Sequence, residues 1–205
     1  MSILYLASQS KSRKKLLDTA NIPYQVITHS SDECGIELTE SFEKYVLAIA
    51  QHKMDHAIIP PPKELPVHSK SIIVLTADTL MRTEKTKIIM GKPKNIDDAK
   101  KMLQLACQEP LELVTACCLD KKEFRKDSWI TIEKKHWTAT AKLEFCVEQD
   151  SVQTYLEKVP DAMFACGAGV IEGFGLNFLK SMNGSFSAIM GLPLFELRVA
   201  LKELS

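Results

Sequence analysis

Eight polar residues carry most of the chemistry available to this sequence: Ser8, Ser10, Arg13, Asp32, Glu33, Lys53, Asp78 and Lys92. Each falls beside a strand end, a helix start or a loop in the apolar pattern. Carboxylates combined with several cations are what phosphoryl chemistry requires. Hard oxygens hold Mg²⁺, usually one or two carboxylates with substrate phosphates and water completing the shell. Lysine and arginine neutralise phosphate charge, and a carboxylate orients or deprotonates an attacking water. No serine–histidine or cysteine–histidine pairing points to a covalent nucleophile. No Gly-x-x-x-x-Gly-Lys-Ser/Thr loop is present, which excludes a P-loop protein. Each residue also has a plainer reading, in which the serines cap helices, Asp78 caps a turn and the lysines are solvated.

The elements that must position these residues begin at the N-terminus. Residues Ile3 to Leu6 read as a short buried strand, and Leu16, Leu17 and Ala20 as the apolar stripe of the next helix. Ser8, Ser10 and Ser12 are then candidate N-caps. The helix start would offer unpaired N–H groups and a positive dipole end to an anion, with Arg13 adding a forked charge. A second strand is expected over Tyr24 to Ile27. An amphipathic helix over Ser41 to Ala57 carries Lys53 and is stopped by Pro60-Pro61-Pro62. Ser71 to Thr76 reads as a buried strand, with Asp78 where it ends, a favourable place because open α/β sheets bind ligands beyond their strand ends. A hairpin with its polar tip at Arg82 to Lys87 leads to Gly91-Lys92-Pro93, where proline fixes the geometry after the lysine and Lys92 is expected as a held ammonium. Asn95 opens a further helix.

Leu111 to Leu119 and Lys135 to Val147 are expected as strands joined by a charged connection over Asp120 to Lys134. A helix over Ser151 to Lys158 precedes the glycine-containing run Gly167 to Gly175. Phe178 to Met190 reads as a hairpin around Asn183-Gly184, and Gly191-Leu192-Pro193-Leu194 launches a terminal helix over Phe195 to Leu204.

Lysine plus arginine balance aspartate plus glutamate at 26 each, so no global field recruits nucleic acid or an acidic membrane, and any anion site must be local. The 205 residues with 45% hydrophobic content suffice for one domain or two packed lobes. No signal peptide or membrane-length apolar run is seen, which gives the expectation of a soluble cytoplasmic protein. Cysteines 34, 107, 117, 118, 146 and 166 have neither metal-ligand spacing nor the density of a disulfide scaffold, so most are expected to be reduced and packed as small apolar groups. His52 and His56 share a helical face without an evident third ligand.

Eight short motifs then fall into one register: Leu6-Ala7-Ser8-x-Ser10-x-x-Arg13-x-x-Leu16-Leu17, Asp32-Glu33, Ala50-x-x-Lys53, Ala77-Asp78-Thr79, Gly91-Lys92-Pro93, Thr115, Glu172-Gly173-x-Gly175 and Gly191-Leu192-Pro193-Leu194. In order and spacing the chain resembles the Maf-like nucleoside triphosphate pyrophosphatases over nearly its whole length. The resemblance implies a single Maf-like domain over residues 1–205, α/β in class. Its elongated two-lobed fold, shared with inosine triphosphate pyrophosphatases, would have a central mixed twisted sheet and an interlobe cleft, often in a homodimer. It implies hydrolysis of a nucleoside triphosphate between its α and β phosphates with a divalent cation, Mg²⁺ or Mn²⁺. Ser8, Ser10 and Arg13 match the family's phosphate-binding start, Glu33 its metal-associated carboxylate, and Lys53 and Lys92 its phosphate-contacting cations. Asp78 matches the general base or metal partner. The late Ala165-Cys166-Gly167 and Glu172-Gly173-Phe174-Gly175 resemble the branch acting on 7-methyl-GTP, where Glu172 would accept from guanine; its plainer reading is a turn residue facing solvent. Lys11, Ser12 and Ala116 depart from the family pattern. The alternatives are a dTTP/UTP pyrophosphatase, a non-catalytic nucleotide-binding regulator of cell division, and a plain interaction protein.

Overall fold

The computed structural model describes residues 4–32, 36, 41–65 and 70–204, so Glu33 and Cys34 lie outside the described residues. In chain order the elements are β1 Leu4–Ala7, α1 Lys11–Thr19, β2 Tyr24–His29, α2 Phe42–Asp55, β3 Ala57–Ile58, β4 Ser71–Thr83, β5 Ile89–Met90 and α3 Ile96–Gln108. They continue as β6 Leu111–Arg125, β7 Ser128–Phe145, α4 Val152–Lys158, β8 Leu179–Gly184, α5 Phe186–Ile189 and α6 Leu194–Glu203, with short 3-10 turns over 160–178. The eight strands form one mixed sheet in the order β3-β2-β1-β4-β6-β7-β8, with β5 paired to β4. β1 runs parallel to both β2 and β4, whereas β5 and β8 pair antiparallel. This is the mixed α/β architecture expected.

The chain divides into two compact units. The first holds 1–78, 115–139 and 186–205, and the second 79–114 and 140–185, so β4, β6 and β7 each contribute to both. The first unit's core gathers Leu4, Leu6, Leu17, Ile73, Leu75, Cys117, Leu119, Leu192, Leu197 and Leu204. Each fully buried leucine contributes about 2 kcal/mol from water exclusion. In the second unit, Ala99, Leu103 and Ala106 form the buried stripe of α3, and Phe145, Tyr155 and Phe178 pack edge to face.

Several boundaries differ from expectation for identifiable reasons. Helix α1 stops at Thr19, leaving Ala20 exposed, because Asn21 takes the left-handed conformation (φ 51°) and Ile22 N–H returns to Leu17 O at 3.0 Å. Helix α2 ends before Ala57, which belongs to β3 and pairs with His29. Strand β4 continues to Thr83 rather than stopping at Thr76, so Asp78 lies within a strand and not at its end. The charged connection expected over Asp120 to Lys134 is strand on both sides of a two-residue turn, Lys126-Asp127, both at positive φ. That is the backbone a tight hairpin with the native twist demands. Asp120 is tolerated in a buried strand because its Oδ2 accepts from Lys122 Nζ (3.2 Å) and Thr131 Oγ1 (3.0 Å).

The hairpin expected around Asn183-Gly184 does not form. These residues end β8, in register with Lys142 and Ala141, and the chain then turns into α5. Gly184 (φ 125°) has no room for a side chain there, since a Cβ would stand 2.8 Å from that of Ala141. Cys107 and Cys146 form a disulfide, so they are not reduced as expected; it joins the last turn of α3 to the residue after β7, across 39 positions. Cys117, Cys118 and Cys166 form no disulfide among the described residues. Among the described residues no helix is long and apolar enough to cross a membrane.

Candidate active site

The first unit positions two groups of the expected polar residues at one end of the sheet. β1 pairs Leu6 with Leu75 of β4, so residues following both partners emerge beyond the carboxyl end of β1. Ser8 and Ser10 follow one strand, and Asp78 lies three residues past Leu75 on the other. This is where parallel strands leave backbone groups available to a ligand.

The start of α1 is a hydrogen-bonded set. Ser10 is the N-cap, its side chain accepting from Arg13 N–H at 3.4 Å. Ser12 lies inside the helix and caps nothing. Ser8 is buried and serves the loop, its Oγ accepting from Ser10 N–H and from Arg13 Nη1, each at 3.2 Å. Arg13 is itself buried, and its Nε donates to Gly191 O at 2.8 Å. The guanidinium is therefore held at a fixed angle instead of sweeping through solvent.

The second group is an ion pair. Helix α2 is pinned to β4 by Thr76 Oγ1, which donates to Ala50 O at 2.8 Å. One turn on, Lys53 Nζ meets Asp78 Oδ1 at 2.5 Å. Lys53 is 8% exposed and Asp78 7%. Asp78 Oδ2 is buried and has no hydrogen-bond partner among the described residues. A buried carboxylate oxygen left unpaired costs stability unless something supplied from outside meets it, and a water or hard cation has that chemistry. The donor thus fits a divalent metal. Glu33, which the resemblance gives as the second carboxylate, lies outside the described residues, and Asp32 is exposed.

Lys92 and Glu172 belong to the second unit. The backbone before Lys92 is fastened by Gly167 N–H to Gly91 O (2.9 Å) and by the Cys166 thiol to Met90 O (2.7 Å), with Pro93 buried behind it. Contrary to the expectation of a held ammonium, Lys92 is exposed, because the bonds at this turn fasten the backbone before it and not its side chain. Glu172 is half-buried at the head of a 3-10 turn. Tyr155 shapes the approach to it, donating from its hydroxyl to Ala168 O and accepting from Val170 N–H, both at 2.9 Å. Burial pushes the Tyr155 phenol up to about 12, against the opposing pull of the Val170 N–H. Gly175 closes the loop where a Cβ would sit 1.7 Å from Val170 O.

Two features escaped the sequence reading. Gly191, 178 residues from Arg13, carries no local mark of being its acceptor. Thr115 is buried in β6 and donates to Ala188 O at 2.7 Å, fastening the turn that bears Gly191. The adjacent thiols do no chemistry as they stand. Burial pushes Cys117 far above its ordinary range, and burial with the neighbouring Asp120 charge pushes Cys118 up to about 12. Neither supplies a thiolate at neutral pH.

The motif register agrees with the comparison to known families. The family model for Maf-like protein matches residues 3–204. The chain belongs to the Maf-like family. Its relatives include a dTTP/UTP pyrophosphatase of Acholeplasma laidlawii, 31% identical over 196 residues, covering 94% of this chain and 91% of the relative. One of Hydrogenovibrio crunogenus is 31% identical, covering 98% and 95%, and one of Treponema denticola is 33% identical, covering 96% and 94%. The Maf-like assignment covers every element described above, and these relatives bear the name of the pyrimidine nucleotide enzymes, not of the 7-methyl-GTP branch.

Proposed function

We propose that this Maf-like protein is a nucleoside triphosphate pyrophosphatase, hydrolysing the bond between the α and β phosphates to release pyrophosphate and the nucleoside monophosphate. The observation that carries the reading is the buried Asp78–Lys53 pair, with Asp78 Oδ2 unpartnered among the described residues, beyond the carboxyl end of β1, the strand that leads into Ser8, Ser10 and Arg13. Asp78 holds a water and takes its proton, while Lys53 fixes the carboxylate's orientation and adds positive charge beside the phosphates. The hydroxyls of Ser8 and Ser10, the guanidinium of Arg13 and the first N–H groups of α1 receive phosphate oxygens. The exposed Lys92 ammonium is a further candidate to meet phosphate oxygens, as the resemblance implies. Asp78 with Glu33 would hold Mg²⁺ or Mn²⁺, which when bound neutralises phosphate charge and orients the polyphosphate.

The relatives' names make dTTP and UTP the first substrates of this proposal. Glu172 favours a second reading, 7-methyl-GTP, because a carboxylate can accept from both the ring N–H and the amino group of guanine and suits a positively charged base. The test is pyrophosphate release from dTTP, UTP, CTP, GTP and 7-methyl-GTP with Mg²⁺ or Mn²⁺. Asp78→Asn is expected to lower kcat about 10²- to 10⁴-fold with little change in KM. Preference for dTTP or UTP supports the first reading, and preference for 7-methyl-GTP, lost in Glu172→Gln, the second. Nucleotide binding without release from any triphosphate overturns both in favour of a non-catalytic binder.

A further inference from the structure

The most constrained long-range contact at the candidate site is made by a backbone carbonyl. Arg13 Nε donates to Gly191 O at 2.8 Å in a buried setting, while Nη1 of the same guanidinium reaches Ser8 Oγ at 3.2 Å. Two bonds from different atoms of one planar group fix its rotation as well as its place. Gly191 is held with equal care. Its N–H donates to Ala188 O at 3.0 Å, the next residue's N–H to Ser187 O at 2.9 Å, and Leu194 N–H to Ser187 Oγ at 3.1 Å. Thr115 Oγ1 anchors Ala188 O to β6, and Leu192 is fully buried in the core. Gly191 has φ 100°, a conformation that other residues rarely adopt, although nothing lies within 4 Å of where its Cβ would be. The position therefore requires glycine for backbone direction alone, not for space.

We infer that Gly191 is a positioning residue: the turn from Ser187 to Leu194 aims its carbonyl at Arg13 Nε and so sets the guanidinium for the nucleotide's phosphates. This rests on the pyrophosphatase reading for its substrate, while the contact itself stands apart from it. Alanine at 191 fits without a clash but draws the backbone away from φ 100°, turning the carbonyl off Arg13. Arg13 then loses one of the bonds that orient it, and phosphate affinity falls.

The test is a double-substitution cycle of Gly191→Ala and Arg13→Lys, the second removing the Nε donor. In the Arg13 background Gly191→Ala is expected to raise KM about tenfold with a smaller change in kcat, the effect of losing one charge-assisted hydrogen bond. In the Arg13→Lys background it is expected to change KM less than about twofold. An equal rise in both backgrounds marks a merely structural role and overturns the inference. The Nε–H resonance of Arg13, identified by its loss in Arg13→Lys, is expected to exchange slowly in the unsubstituted protein and at least about tenfold faster in Gly191→Ala. Fast exchange in the unsubstituted protein, or no change in folded Gly191→Ala, also overturns it. If no triphosphate is hydrolysed, the pyrophosphatase reading fails alone, and the same cycle is read on the affinity for inorganic pyrophosphate. If Gly191→Ala does not fold, Thr115→Val, which releases Ala188 O from β6, is expected to give the same background-dependent loss; a loss independent of Arg13 overturns the inference.

Discussion

Lys53 and Asp78 are buried as a pair. A lysine and an aspartate nine-tenths removed from water are expensive to bury, and a 2.5 Å contact offsets that cost only while both are present. Lys53→Met is therefore expected to lower unfolding free energy by about 3 kcal/mol in denaturant titration, because it strands a buried carboxylate. Lys53→Met combined with Asp78→Asn is expected to recover part of that loss, and a double variant no more stable than Lys53→Met alone would contradict the pairing. The same residues show how much of the site was legible. Ser8, Ser10, Arg13, Lys53 and Asp78 were each found from residue type and spacing. Their division into a serine–arginine set and an ion pair was not, because hydrogen-bond partners far apart in the chain leave no periodic trace.

At the scale of elements, the second unit is tied together by an ion-pair cluster that joins β6 to β4 and the loop after it, and by a disulfide between α3 and the residue after β7. Glu112 at the start of β6 accepts from Arg82 Nε of β4 at 2.6 Å and from Lys87 Nζ at 3.1 Å. Burial works to raise its carboxyl, but the hydrogen bonds from Arg82 and Lys87 and their charges outweigh it, so it is held below the ordinary glutamate value. The folded state thus binds the proton less readily than the unfolded one. The stabilisation is present above the unfolded value and disappears as pH falls through the lowered folded one. Glu112→Gln is accordingly expected to cost about 1 kcal/mol near pH 7 and progressively less as pH falls below the ordinary glutamate range, read by denaturant titration across that range. The Cys107–Cys146 disulfide closes a 39-residue separation. Chain-entropy reasoning gives it about 3–4 kcal/mol. Cys107→Ser with Cys146→Ser is expected to lower stability by that order, an effect that dithiothreitol reproduces in the unsubstituted protein and not in the double variant. Gln104 Nε2, which donates to Gln149 Oε1 at 2.7 Å beside the disulfide, remains to hold α3 near the chain after β7.

For the whole molecule, equal numbers of acidic and basic residues mean that affinity for anions has to come from the arrangement at the sheet end and not from net charge. The protein is expected to pass through a heparin or DNA column unretained at about 0.15 M salt, where long-range attraction is screened. Retention that falls steeply with added salt would show a basic face that the charge balance does not reveal. Most elements were readable because apolar spacing of 2 or 3.6 residues survives in any context, which placed α2, α3, α6 and the buried halves of β4 and β6. Two of the misread stretches share one cause. Asp78 and Asp120 look like strand ends when charge is read locally, yet both lie within strands, since Lys53 reaches one from α2 while Lys122 and Thr131 satisfy the other. The sequence by itself determined the family register, the alternation of strands and helices, and the residue types available to meet a phosphate, because these are properties of spacing and chemistry along the chain. Only the tertiary structure decided which charges may be buried, which cysteines join and which carbonyl holds Arg13. Each of those depends on a partner brought near by folding, and the free energy of a buried polar group is fixed by that partner.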